Sequence, residues 1–155
     1  MSAKKSTGAG FDSEVQLSIA VLHAGQAAVR SVQEITGRVL HNLKTSCPVG
    51  IQWIAVESLK DRQFFETSRH SAAAADLLFV ALDASSELSS EIKNWLPAVL
   101  SGRLSDRRRA LVALLETKEA LLDWHWMAHR YFQKQAECAG VDYFIHLDRR
   151  TAQLL

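Results

Sequence analysis

The chain reads as an α/β protein, a three-layer sandwich with a five-stranded parallel sheet between two layers of helices. Two observations predict this. Five short apolar runs recur along the sequence: "VQLSIAVL" at 15–22, "IQWIAVES" at 51–58, "DLLFVALD" at 76–83, "ALVALLE" at 110–116 and "VDYFIHL" at 141–147. The segments between them carry apolar residues at helical spacing, and strict alternation of strand and helix implies parallel strands joined by right-handed crossovers. The third and fourth runs are almost continuously apolar, as strands buried on both faces must be.

Taken in order, the first helix follows from Ala28, Val32, Ile35, Val39 and Leu43, which share one face, and "SCPVG" at 46–50 breaks it before the second strand. The second helix is expected over 60–74, with Phe64, Phe65 and an alanine cluster turned to the core. A third starts among the serines after Asp83 and lines up Leu88, Ile92, Trp95, Leu96 and Val99. Pro97 should kink or divide it, because proline lacks an amide donor and collides with the preceding turn. The fourth, about 118–139, ends at Gly140, a residue suited to a left-handed closing turn.

Two strand orders are natural. In the order 2-1-3-4-5 the first helix lies on one face and the next three on the other; in the alternative 3-2-1-4-5 each face takes two. Only "DRRTAQLL" follows the fifth strand, too short for a fifth helix. The former order should therefore leave apolar sheet uncovered, to be covered by a partner chain.

With 155 residues, 48% of them apolar, the chain has the length of one domain with a real core. Residues 1–14 are expected to be a disordered leader, rich in Ser, Gly, Ala and Lys, and 15–155 a single domain. A net charge of +1 gives no overall field toward nucleic acid or anionic membrane. The one basic cluster, Arg103, Arg107, Arg108 and Arg109, reads as a solvated loop. Cys47 and Cys138 are too few for a disulfide framework or a paired-cysteine zinc site. No apolar run approaches bilayer length, and a cytoplasmic location is expected.

Any chemistry in such a sheet gathers where the strand carboxyl ends open. Those ends are His23, Glu57, Asp83, Glu116 and His146, with Thr117 after the fourth strand and Asp148 beyond the fifth. Imidazoles and carboxylates on one edge can hold a divalent metal or act as acid and base. Strands also simply end in polar residues where they reach water.

Asp83 after the third run, Thr117 after the fourth and "AGVDYFIHL" at 139–147 resemble a response-regulator receiver domain. The resemblance implies the order 2-1-3-4-5 and a phosphoryl-accepting aspartate at Asp83. The family's acidic pair after the first strand is missing from "LHAG", and His146 stands where its lysine is expected, so the resemblance implies a degenerate pseudo-receiver. "ADLLFVALDASSELSSEIKNWL" at 75–96 is similar to flavodoxin-like flavin reductases, which share that strand order. Those proteins seat a flavin phosphate in a hydroxyl-rich loop after the first strand. Here that stretch is "HAGQAAVRS", without a hydroxyl until Ser31, and no cofactor is expected.

Neither GxxxxGK[ST] nor GxGxxG occurs, and no G-x-S-x-G elbow is present. Ser85, Ser86, Ser89 and Ser90 are read as caps and turn residues of the third helix. In "DWHWMAHRYF" at 123–132, His125 and His129 lie four apart, but the glutamate of HExxH is absent, and no metal site is assigned. Leu121, Ala128, Phe132 and Ala136 are expected on the sheet side of that helix. Trp124, Met127 and Tyr131 form a second apolar stripe suited to association. The expected role is a non-enzymatic, receiver-like interaction module, self-associating as a homodimer or binding another protein. The alternative is a small-ligand or metal-binding enzyme using the carboxyl-end crevice.

Overall fold

The computed structural model describes residues 17–24, 26–43, 49–83, 88–102, 109–116 and 122–148. From the amino end these form β1 (Leu17–Ala24), α1 (Gln26–Leu43), β2 (Val49–Ala55), a 3-10 turn (Val56–Lys60) and α2 (Arg62–Ala72). They continue as β3 (Leu77–Leu82), α3 (Ser90–Ser101), β4 (Ala110–Glu116), α4 (Leu122–Ala139) and β5 (Asp142–Asp148). The expected leader, residues 1–14, lies outside the described residues.

All neighbouring strands pair in parallel, in the order β2-β1-β3-β4-β5. The two nearly continuous apolar runs, β3 and β4, are interior strands, as a strand with apolar side chains on both faces must be to keep most of them from water. β2 and β5 are the edges.

Because successive side chains point to opposite faces, the register sorts the core into two layers. Ala20, Leu22, Leu78, Val80, Leu82, Leu111, Ala113 and Leu115 join the larger cluster, under α2, α3 and α4. Ile19, Val21, Phe79, Ala81 and Leu114 form the smaller one, against Val32 and Ile35 of α1. Helix α1 lies over β1, β3 and β4, the middle of the sheet. Among the described residues it is the one helix on that face.

The register row through the middle of the α1 face runs Trp53, Val21, Phe79, Val112, Phe144. Its centre is buried, but Trp53 is 39% exposed and Phe144 58%, and Ile51, one pleat earlier on β2, is 36% exposed. The uncovered apolar sheet expected of this strand order is therefore present, split between the two edges.

Local chemistry explains the boundaries. Asp61 caps α2, its carboxylate accepting from the amides of Gln63 at 2.9 Å and Phe64 at 3.3 Å. Ser89 caps α3, accepting from the Ile92 amide at 3.4 Å. The start of α3 thus falls to Ser89, one of the serines after Asp83. α4 closes on Gly140 at φ 72°, with the Val141 amide donating to the Ala136 carbonyl and the Gly140 amide to that of Glu137. Only glycine takes this left-handed position without cost.

Two expectations are corrected. The second strand ends at Ala55 rather than running to residue 58, because Leu59 turns into the core and draws 56–60 into a 3-10 turn. Helix α3 is not divided at Pro97. The carbonyl that proline leaves without an amide belongs to Lys93, on the exposed side where water can serve it, while Trp95, Leu96, Val99 and Leu100 hold the opposite side in the core.

Candidate functional site

β1 and β3, adjacent in space but separated in sequence by a whole strand and two helical segments, form the switch point of the sheet, where connections depart in opposite directions. At its carboxyl edge the Asp83 amide donates to the Ala24 carbonyl at 3.3 Å, tying the two strand ends together. Asp83 is half-buried there. His23 pairs in register with Ala81 on one side and Ala55 on the other, on the α1 face. Its ring meets Trp53 edge-on, with centroids 5.9 Å apart and planes at 72°.

Partial burial pushes the His23 pKa below its ordinary value of 6.5. The unfolded chain then takes up a proton that the folded ring resists. Stability is expected to be complete above that value and to fall as pH drops through it. Urea midpoints at about pH 7.5 and about pH 5.5 test this: His23→Gln should lose less on acidification than the wild type.

The other strand-end residues do not gather around His23. Glu57 is exposed on the 3-10 turn beyond β2, at one edge of the sheet, and His146 is exposed on β5 at the other. Four strand spacings put them about 19 Å apart. β5 also runs two residues past His146, to Asp148. Glu116 pairs in register with Asp148, which places two acidic residues side by side at the ends of β4 and β5. The Glu116 side chain and all of Thr117 lie outside the described residues. No cluster of three His, Cys, Asp or Glu among the described residues is able to hold a metal ion.

The α4 surface divides differently from its expected stripes. Ala128, Phe132 and Ala136 do face the sheet and are buried, while Leu121 lies outside the described residues. Tyr131 is half-buried against the core, its ring edge-on to Phe132 at 5.5 Å, and burial raises its pKa. Met127 is 56% exposed, and the Trp124 side chain lies outside the described residues. Trp126, 58% exposed, was no part of the expected stripe. It leans on His129 with centroids 5.7 Å apart, and His129 leans on Tyr143 of β5 at 5.6 Å. The Tyr143 hydroxyl lies 2.9 Å from His129 Nδ1, and burial pushes its pKa up to about 12. Of the basic cluster, Arg109 donates to the Ala73 carbonyl at 2.7 Å and so ties the start of β4 to the end of α2; Arg103, Arg107 and Arg108 lie outside the described residues. Sequence reasoning also missed Ile51, Trp53 and Phe144, which become legible as α1-face positions on edge strands once the strand order is known.

No protein-family model matches the chain, and no curated protein matches it in sequence. Solved structures do. A flavodoxin of Streptococcus pneumoniae TIGR4 superposes with a TM-score of 0.54 at 14% identity, covering 85% of this chain and 84% of that one. The chain has a flavodoxin-like fold. A short-chain flavodoxin associated with a non-canonical PDU bacterial microcompartment gives 0.52 at 15% identity, with coverage of 85% and 84%.

This fold class can take a flavin at the switch point between β1 and β3. A hydroxyl-rich phosphate loop in that position adds side-chain donors to the backbone amides of the helix N-terminus. Here β1 ends at Ala24 and α1 begins at Gln26, leaving one residue between them. The first hydroxyl of α1, Ser31, is buried. The residues present do not fit a hydroxyl-rich phosphate loop.

Proposed function

We propose that this chain is a non-enzymatic interaction module on a flavodoxin-like fold that works as a homodimer. The observation that carries the reading is the α1 face. Among the described residues one helix lies over the middle of a five-stranded sheet, and large apolar side chains stand exposed on both flanks: Ile51 and Trp53 on β2, Phe144 on β5. Scattered exposed apolar residues are ordinary, but large ones standing on the edge strands of one sheet face, on either side of a single helix, suit an association surface.

The receiver-like part of the reading rests on Asp83, which follows β3 beside the end of β1. That strand ends in His23 and Ala24 and supplies no acidic pair to hold magnesium, so phosphoryl acceptance is left out of the proposal.

Light scattering over a dilution series tests the reading. A mass twice that of the 17.2 kDa chain, falling toward one chain on dilution, is the expected result. A single-chain mass throughout would sink self-association. Saturable binding of zinc or orthophosphate by that monomer, abolished in Asp83→Ala, would then favour the ligand-binding alternative.

A further inference from the structure

β5 is an edge strand seven residues long, and among the described residues no strand pairs with its outer side. Edge strands in natural proteins are commonly blunted by brevity, proline or charged side chains, lysine above all, and the charges of β5 stand only at its ends, Asp142 and Asp148. β5, "DYFIHLD", has no proline and no lysine.

The direction of its backbone groups follows from one bond. The Asp142 amide donates to the Arg109 carbonyl at 3.1 Å, toward β4. In a parallel ladder the residues facing the neighbour alternate, so 142, 144, 146 and 148 turn their amides and carbonyls to β4. Those of Tyr143, Ile145 and Leu147 point outward.

We propose that two copies of this chain pair antiparallel along β5, about a twofold axis at Phe144, making one continuous ten-stranded sheet; this rests on the self-association reading above. In that register Tyr143 of one copy faces Ile145 of the other, and their outward amides and carbonyls exchange both hydrogen bonds. Phe144 meets its own counterpart at the narrow spacing of an unbonded pair, where side chains approach closest. Asp142 stands opposite His146 of the second copy, and the pairing repeats on the other side of the axis. Both residues are exposed and lie on the same face as Phe144.

Charge favours this register over the next one toward the carboxyl end, and over the next one toward the amino end, which would set Asp142 against Phe144. Moving the axis to Ile145 would set Asp142 against Asp148 of the second copy, two carboxylates directly opposed. A register slip of one residue, with the axis midway between Phe144 and Ile145, would set side chains of opposite faces against each other. The self-complementary order Asp, Phe, His along one face is what a twofold strand pair requires.

The experiment uses the full chain in sedimentation or light scattering, with circular dichroism to confirm that each variant is folded. Asp142→Lys sets a lysine against histidine, and His146→Asp sets two aspartates in opposition. Each alone should weaken the dimer about tenfold or more. Mixed together, the two variants should form a heterodimer as tight as the wild type. In it the introduced lysine of one copy faces the introduced aspartate of the other, and the remaining His146 faces the remaining Asp142. Phe144→Lys should abolish the dimer with no mixing rescue.

A dimer indifferent to all three changes overturns the β5 pairing while leaving self-association standing, on another surface such as Trp53 or Met127. Variants that weaken the dimer but do not rescue one another also overturn the register. A wild-type monomer at every concentration overturns both readings.

Discussion

Replacing Trp95 with alanine is expected to remove about 3–5 kcal/mol of folding stability, read as a lower urea midpoint at unchanged slope. Trp95 is the largest fully buried side chain among the described residues, on the face of α3 that packs toward α2 and the sheet. Its loss opens a cavity that rigid strands on one side cannot collapse to fill. The indole is also anchored: Nε1–H donates to the Ser68 hydroxyl at 3.1 Å, and that hydroxyl donates to the Phe65 carbonyl at 3.2 Å.

Phenylalanine at 95 separates the two contributions, because it keeps most of the volume and removes only the donor. Trp95→Phe should cost a fraction of the alanine loss. Against a typical total of about 5–15 kcal/mol, the alanine variant would be near the limit of folding at physiological temperature. An alanine variant within about 0.5 kcal/mol of wild type would mean that α3 does not pack as described.

The second large effect belongs to Phe132. It is fully buried beneath α4, between Ala128 and Ala136, one turn away on either side. The two alanines let the helix approach the sheet closely, so most of the apolar contact of this stretch falls to the single ring. Phe132→Ala should cost about 3–5 kcal/mol. Met127→Ala, on the same helix but more than half exposed, should stay within about 0.5 kcal/mol. Comparable losses in the two variants would contradict the rotation of α4 about its axis.

α4 also shows where sequence reading succeeds and where it stops. Periodicity assigned Ala128, Phe132 and Ala136 to the sheet correctly, since helical spacing fixes which residues share a face. It paired Met127 with Tyr131 as equally available surface, but Tyr131 packs half-buried against Phe132. Spacing gives an angle around the helix and not the distance to the next element. The same limit governs the crevice. The carboxyl ends of β1, β3 and β4 were legible to within a residue, because apolar runs stop where polar residues begin. That Glu57 and His146 stand at opposite edges was not, because strand order is a property of crossovers rather than of any single run.

The 3-10 turn after β2 escaped for another reason. Val56 and Leu59 continue an apolar pattern that suits strand and tight turn alike, and only the packing of Leu59 decides between them. The strand order itself was open between two arrangements, and what resolves it is the bonding of β1 to both β2 and β3.

That placement of β1 has a consequence for synthesis. Its second edge is completed by a strand 58 residues further on: the Asp76 carboxylate accepts from the Ser18 amide at 2.9 Å, and the Asp76 amide returns a bond to the Ser18 carbonyl. At ribosomal speed, the interval between the emergence of β2 and of β3 is on the order of a few seconds. Throughout it, a strand with a wholly apolar centre is open along one side and uncovered above. Translation rate across 56–76 therefore governs how long that side is available to chaperones at the ribosome or to another nascent chain. Cellular yield would respond to codon changes in this stretch even where equilibrium stability of the finished protein is untouched.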